Sequence, residues 1–327
     1  MIKHTQKPDL DTWWQIAKAD PKATFYQTPA WLEVAKCMSD KYEDASFMGE
    51  LESGVKFVFP LCSYSRQWPL KRVYSVYDQC YGGVITDGPI TAAEHTAILQ
   101  ALPLTKFSTF DLTEVPGVRH GQFPTDYDIV EFNSSEIPLA GRTFEEIFSQ
   151  YTRTHRTNYR KGAKSGLSIR QADVNNMSAE FDLFYEIYLE TLNKRWGDDV
   201  QGDILQLDYL RKFEKVVTKY SNNFLMWFVE LEGKAISVAT AYLWNGRLDG
   251  WVMATRPEYF KLRPSTYVIT ELLQYAVGQG YKLFHFGPNG DNQGLADFKR
   301  RFGAVQVPYR MVHRPSPVLN LVDRVRN

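Results

Sequence analysis

The chain turns on one stretch, Phe284-His285-Phe286-Gly287-Pro288-Asn289-Gly290-Asp291-Asn292-Gln293-Gly294-Leu295-Ala296-Asp297-Phe298-Lys299-Arg300-Arg301-Phe302-Gly303. The short run from Lys282 to Phe286 reads as a buried strand. It breaks into a loop carrying Gly287, Gly290 and Gly294, which can take backbone angles that other residues avoid. The loop feeds a basic segment, Phe298-Lys299-Arg300-Arg301, closed by Phe302 and Gly303. A strand that ends in a glycine-rich loop beside a lysine suits a bound carbonyl or phosphate. The plainer alternative is a hairpin connection with a solvated basic turn.

Outward from this stretch the pattern alternates strands with helices. Ser265 to Gly280 is expected to be a helix with Val268, Ile269, Leu272, Leu273 and Ala276 turned inward and Gly280 at its C-terminal cap. Before it, Phe224 to Leu231, Ala235 to Trp244 and Leu248 to Ala254 read as strands joined at Glu232-Gly233-Lys234 and at Asn245-Gly246, the latter a type I′ turn signal. Helices are expected from Ser178 to Leu192, stopped at Trp196-Gly197, and from Asp208 to Tyr220. Thr143 caps a further helix through Tyr151, and the following run places Arg153, Arg156, Arg160 and Lys164 on one face. Towards the N-terminus, Asp11 and Thr28 read as helix caps, Phe47 to Leu51 and Val55 to Leu61 as strands, and residues 72–77 and Tyr81 to Ile85 as further strands. The paired glycines after Tyr81 signal a bulge or a close backbone approach. Thr91 caps a helix to Leu102, and Phe107 to Leu112 and Tyr127 to Phe132 are strands. The class is therefore α/β or mixed α+β. The polar cluster Asn133 to Gly141 reads as a turn and as the boundary between a domain 1–135 and a domain 136–327.

Composition narrows the function. The 327 residues suggest about two domains. Lys plus Arg equals Asp plus Glu at 38 each, which argues against a protein built to coat DNA or RNA. Cys37, Cys62 and Cys80 are odd in number without close pairing and read as reduced thiols. The six histidines form no i,i+4 pair and no cluster with cysteine, so no metal site is expected. The N-terminus has no apolar leader and no run reaches the length of a membrane span, so a cytoplasmic location is expected.

Four stretches taken together resemble a known family. They are Phe25-Tyr26-Gln27-Thr28-Pro29-Ala30-Trp31, Tyr81-Gly82-Gly83, the basic helix from Arg153 to Leu167, and the strand, glycine loop and Phe298-Lys299 ending. In this order they are similar to the Fem-type aminoacyltransferases of bacterial peptidoglycan cross-bridge synthesis and their GNAT acetyltransferase relatives. The resemblance implies two tandem GNAT-like domains, with mixed sheets flanked by helices, and transfer of an acyl or aminoacyl group to an amine. The chain lacks the long helical insertion of some members. The donor would be acyl-CoA or aminoacyl-tRNA, used as a substrate with no tightly bound cofactor. The acceptor would be a small-molecule or nucleotide-linked amine, on a cell-envelope precursor among others, with a tRNA acceptor end as a further candidate partner. A CoA-dependent N-acetyltransferase and a non-catalytic ligand-binding member of the fold are the rivals. The oligomeric state is open.

The chemistry names the residues. Acyl transfer to an amine passes through a tetrahedral oxyanion, and a fixed cation near it is the strongest single stabilisation an enzyme can supply. By resemblance that cation is Lys299, with Phe298 shaping the site beside it. Asp291 and His285, with Asp297, are candidates to take the amine's proton; His285 stands where the family commonly has an aspartate. Arg153, Arg156, Arg160, Lys161 and Lys164 offer a charge match to phosphates, against the alternative of a solvated helix face. Tyr81, Gly82 and Gly83, Arg195 after Thr191, and Tyr267 complete the substrate-binding candidates. GNAT enzymes hold the CoA pyrophosphate with a glycine-rich turn at a helix N-terminus. Here Phe260-Lys261-Leu262-Arg263-Pro264-Ser265 has no glycine and a proline without a donor, so Lys261 and Arg263 would meet a phosphate by charge.

Overall fold

The computed structural model describes residues 1–67, 69–77, 80–118, 121–196 and 207–318. It divides into two compact units, Met1–Asn133 with the segment from Val307, and Ser134–Gln306. Residues from Val307 thus lie with the first unit, whereas a linear division at 135/136 would leave them in the second.

The first unit contains β1 (Ile2–Gln6), α1 (Leu10–Ala19), α2 (Pro29–Met38), β2 (Tyr42–Asp44), β3 (Phe47–Leu51), β4 (Lys56–Phe59), β5 (Cys62–Gln67), β6 (Leu70–Tyr74), β7 (Tyr81–Gly82), β8 (Ile85–Thr86), α3 (Ala92–Gln100) and β9 (Ser108–Glu114). The strand β10 (Asp128–Pro138) then leads the chain into the second unit. There follow α4 (Phe144–Ser149), α5 (Arg153–Lys164), β11 (Ser168–Gln171), α6 (Met177–Trp196), α7 (Leu207–Lys219), β12 (Phe224–Leu231), β13 (Lys234–Trp244), β14 (Arg247–Thr255), α8 (Pro264–Gly278), β15 (Leu283–Pro288) and α9 (Gln293–Arg300). The last strand, β16 (Val305–Arg314), returns to the first unit. Both units mix sheets with helices, as the alternating pattern requires.

In the first unit β1-β3-β4-β8 form one sheet, and β16-β9-β6-β5-β2 follow one another in a second, with β7 beside β9. The core between them is built on Leu51, Phe57, Phe59, Ile98 and Phe110, each almost wholly buried. In the second unit the order is β11-β12-β13-β14-β15-β10. Both hairpin turns of that meander carry consecutive positive φ values, at Glu232-Gly233 and Asn245-Gly246, which is the backbone of a type I′ turn. Two capping boxes, Thr91 with Glu94 and Thr143 with Glu146, start α3 and α4 where expected. The first helix is capped by Asp9, whose carboxylate accepts from the Thr12 N–H at 2.8 Å, and not by Asp11.

β14, α8 and β15 form the unit's crossover. β14 and β15 run parallel and pair from Arg247–Leu283 to Asp249–His285. The helix between them buries Val268, Ile269, Leu272, Leu273 and Ala276 against the sheet, the face that its periodicity marks. On the other side of β15 lies β10, antiparallel, with Ser134 opposite Pro288 and Glu136 opposite His285. One residue of β10, Ser135, therefore faces two of β15, and the bulge falls at Phe286-Gly287, where Gly287 takes φ +80°.

The structure corrects two expectations. The polar cluster 133–141 is not a turn from its start, because β10 continues through Pro138. Its serines are strand residues whose hydroxyls find buried partners across the sheet. The segment after Gly290 is not a continuous glycine loop either. Asn292 accepts from the Leu295 N–H at 2.9 Å and starts α9, so Gly294 sits in the first turn of a helix. Strand β16 has no clear signal in the sequence. Its Pro308 and alternating charges resemble loop chemistry, and a proline normally removes a residue from the interior of a sheet.

Candidate active site

Lys299 stands in the last turn of α9 and is only 4% exposed, which is unusual for a lysine. Its Nζ donates to the carbonyl oxygens of Gly287 and Pro288, each at 2.8 Å. Burial disfavours the charged form and lowers its pKa to about 7. Two carbonyls hold two of the three protons of the ammonium form, and one N–H is left over. The glycine bulge is what turns the Gly287 carbonyl inward, because a left-handed residue at that point redirects the peptide.

The loop that supplies these carbonyls is tied down from below. The Ser135 hydroxyl donates to Asn289 Oδ1 at 3.0 Å, Asn289 Nδ2 donates to Gln306 Oε1 at 2.7 Å, and Gln306 Nε2 closes the ring on Ser135 at 2.8 Å. Beside it, His285 is 1% exposed and has partners at both ring nitrogens. Nε2 meets the Ser134 hydroxyl at 2.5 Å, while Nδ1 lies 3.2 Å from the donating Gly287 N–H and 3.3 Å from Asp249 Oδ1. Asp249, itself 1% exposed, accepts from Arg247 at 2.9 Å. Burial alone would raise the Asp249 carboxyl, but the Arg247 guanidinium and His285 hold it well below the usual carboxylate range. Burial pushes the His285 imidazole down towards its neutral form, against the pull of Asp249.

A cleft of about 270 Å³ opens near the N-terminus of α8. Arg263, Pro264, Ser265 and Thr266 form one wall, His155 and Asn158 of α5 a second, and Phe298 and Arg301 a third. Arg263 is left-handed at φ +62°, and no side chain caps the first N–H groups of α8. His155 is 2% exposed, and among the described residues neither of its ring nitrogens has a hydrogen-bond partner. Burial lowers its pKa to about 4, and the charges of Arg301 and Arg263 add to the effect. Its ring is held edge-on by Phe302 at 4.4 Å and Phe298 at 5.4 Å. Two arginines, a helix N-terminus and a neutral imidazole form a pocket suited to an oxyanion such as phosphate.

The remaining candidates are dispersed. Arg153 and Lys164 are exposed, while Arg160 lies over the Phe148 ring at 6.0 Å. Arg156 donates to the backbone carbonyls of Ser149 and Tyr151, closing the end of α4, and Lys161 donates to the Lys261 carbonyl at 3.2 Å. The side chains of Lys261 and Asp291 are exposed, and Asp297 pairs with Arg300 on the surface of α9. Tyr267 is buried and stacks on Tyr159 at 5.7 Å, joining α8 to α5. Tyr81 is buried in the first unit between Tyr26 and Tyr309, with ring centroids 6.4 and 5.6 Å away. A Cβ on Gly82 would stand 2.4 Å from Ser75 Oγ, and the Gly83 N–H donates to that same oxygen at 2.6 Å. The glycine pair thus permits the close approach that its sequence signals. The side chain of Arg195, and Gly197, lie outside the described residues.

Sequence reasoning missed His155, Asn158, Ser265, Thr266 and Arg301. A helical wheel carried the signal for the first. His155, Tyr159 and Gly162 recur at i, i+4 and i+7, and the helix buries His155 and Gly162 on the side away from its cations. Cys37, Cys62 and Cys80 form no disulfide, and no group of metal-ligating side chains exists among the described residues. No helix among them is long and apolar enough to cross a membrane.

A sequence profile described as an acetyltransferase (GNAT) domain matches residues 149–300, which lie within the second unit. No curated protein matches the chain in sequence. In fold the chain is similar to a crystal structure of FemX, with a TM-score of 0.68 and 13% identity over 94% of this chain and 96% of that one. It is also similar to L-PGS from Bacillus licheniformis, with a TM-score of 0.56 and 13% identity over 98% and 97% of the two chains. A tandem GNAT protein from the clavulanic acid biosynthesis pathway follows at 0.50 and 10% identity, over 93% and 94%. The profile match places an acetyltransferase (GNAT) domain in the second unit, and the chain as a whole shares the fold of FemX, L-PGS and the tandem GNAT protein.

Proposed function

We propose that the chain transfers an acyl or aminoacyl group from a phosphate-bearing donor to an amine, with Lys299 stabilising the oxyanion. The observation that carries this reading is the buried Lys299 ammonium, pinned by two carbonyls with one N–H left over. The acceptor nitrogen attacks the acyl carbon, and the carbonyl oxygen becomes negative as the C–N bond forms. A cation held in place beforehand meets that charge without reorganising. The intermediate then collapses, the C–S or C–O bond to the donor breaks, and the proton lost by the acceptor nitrogen passes to the departing sulfur or oxygen, directly or through water.

The cleft at α8 supports a donor phosphate bound by Arg263, Arg301 and the uncapped N–H groups of Ser265 and Thr266. Pro264 supplies no N–H, so this is not the glycine-rich cradle of ordinary CoA enzymes and relies more on side-chain charge. Both CoA and a tRNA acceptor end bring such phosphates. The likeness to Fem-type proteins supports a cell-envelope amine, such as a peptidoglycan-type precursor, as the acceptor.

The deciding experiment is calorimetry of the protein with acetyl-CoA and, separately, with a charged tRNA pool. Heat with acetyl-CoA alone selects the N-acetyltransferase reading, and heat with the charged tRNA selects aminoacyl transfer. Binding of neither leaves the non-catalytic ligand-binding reading. Replacing Arg263 or Arg301 by alanine should weaken donor binding about tenfold each, the scale of one charge-assisted contact at a solvent-facing site. An unchanged Kd in both variants would remove the phosphate from this cleft.

A further inference from the structure

We propose that His285 is a positioning residue for Lys299: with Ser134 it fixes the Gly287 peptide so that its carbonyl faces the Lys299 ammonium. The inference rests on the reading of Lys299 as the reactive cation only for its catalytic meaning. The arrangement itself is geometric.

Gly287 is held at both ends of its own residue. Its N–H donates to His285 Nδ1 at 3.2 Å, and its carbonyl accepts from Lys299 Nζ at 2.8 Å and from the Ser134 hydroxyl at 3.4 Å. The same Ser134 hydroxyl meets His285 Nε2 at 2.5 Å, so imidazole, hydroxyl and glycine carbonyl form one connected set. Such a clamp is needed because a glycine at φ +80° has no Cβ to restrict it. The imidazole is too enclosed to touch a substrate, at 1% exposure, and both nitrogens are already engaged. Its chemistry is therefore spent on the backbone.

The charged and titratable groups around it come from every neighbouring element. β14 supplies Asp249 and Arg247, α9 supplies Lys299, and β10 supplies Ser134 and Glu136, the residue opposite His285 in register. A neutral imidazole carries one proton. On Nε2 it donates to Ser134 and leaves Nδ1 to accept from Gly287. On Nδ1 it donates to Asp249 and releases Gly287. The Gly287 contact thus belongs to the first tautomer, in which the Ser134 hydroxyl accepts from Nε2–H and can donate its own proton to the Gly287 carbonyl, while the Asp249 carboxylate pulls towards the second.

The test reads Lys299 directly and needs no substrate. The full chain is labelled with 13C-lysine, and the Lys299 resonance is identified by its loss in Lys299→Arg. Its titration midpoint is then followed by NMR. In the wild type the midpoint lies far below that of an ordinary lysine. In His285→Phe, and to a smaller degree in Ser134→Ala, the loosened peptide lets the ammonium reach water and the midpoint rises by at least about one pH unit. His285→Asn, whose side-chain oxygen can accept from the Gly287 N–H, should move it back towards wild type. A purely structural histidine would lower Tm and leave the midpoint of the folded protein where it was. If His285→Phe does not fold, Ser134→Ala and His285→Asn decide. Wild-type midpoints in the folded variants would overturn the proposal whatever happens to turnover. Retained turnover in Lys299→Ala would instead overturn the catalytic reading and leave the positioning result standing.

Discussion

Lys299→Ala is expected to lower kcat by about 10²- to 10³-fold, the loss measured when one preorganised oxyanion donor is removed. Donor affinity should change little, because the cleft proposed to take the phosphate is built from Arg263, Arg301 and the start of α8. Unchanged turnover would end the assignment. The fold should tolerate the change. The variant leaves the Gly287 and Pro288 carbonyls without their donor, but it also removes a buried cation whose desolvation is costly. The pH dependence separates two ways this nitrogen can act. As an ammonium that meets the oxyanion, its contribution falls as pH rises through about 7. As a neutral amine with both N–H groups on the carbonyls and a lone pair free, its contribution would rise over the same range. Stability carries the corresponding sign. The folded pKa lies below the unfolded one, so burying the ammonium destabilises the protein below about pH 7. That cost fades as pH rises towards the ordinary lysine value. Lys299→Met should remove this dependence, which denaturant titrations at pH 6 and pH 9 would show.

Asp249→Ala is expected to destabilise the protein by about 3–5 kcal/mol, the scale for breaking a buried ion pair by removing one partner. Arg247 is 8% exposed and would keep its charge after losing the Asp249 carboxylate, while His285 would lose its Nδ1 neighbour. Chemical denaturation gives the number directly. The double variant Asp249→Ala with Arg247→Met should recover much of the loss, because it removes the buried cation as well. An exposed pair offers the contrast: Glu258→Ala, which removes the carboxylate beside Lys234, should lie within the ~0.5 kcal/mol usual for a surface change. The pH range follows from the depressed carboxyl. Its contribution is fully present above the ordinary aspartate value and is lost only as pH falls through the lower folded pKa, so no change is expected near neutrality.

Much of the second unit was legible because its signals are local. The I′ turns at Glu232-Gly233 and Asn245-Gly246, the Thr143 capping box and the apolar face of α8 each depend on residues a few positions apart. The stretch from Phe284 to Gly303 was legible as a strand ending near a lysine, and Lys299 does meet the carbonyls at that strand's end. What was not legible depends on distant residues. Ser134 and Ser135 look like turn residues until β15 supplies His285 and Asn289, more than 150 positions away. His285 is in the same position: as a sequence residue it is a proton acceptor within reach of a loop, and only Asp249 from β14 and Ser134 from β10 give it different work. The basic helix shows the reverse. Its charges dominate the sequence, yet the residues that enter the cleft are the uncharged His155 and Asn158 between them.

The way β10 enters the second unit has a practical consequence for dissecting the protein. The acetyltransferase profile begins at residue 149, but the clamp beneath Lys299 begins at Ser134, and the ring that ties down its loop needs Ser135 and Gln306. A fragment cut to the profile would keep the lysine and its glycine bulge, and would lose both Arg301 of the cleft and the strand that holds the loop in register. Autonomy of this catalytic half therefore begins about fifteen residues earlier than homology alone would place it, at the first buried serine of β10.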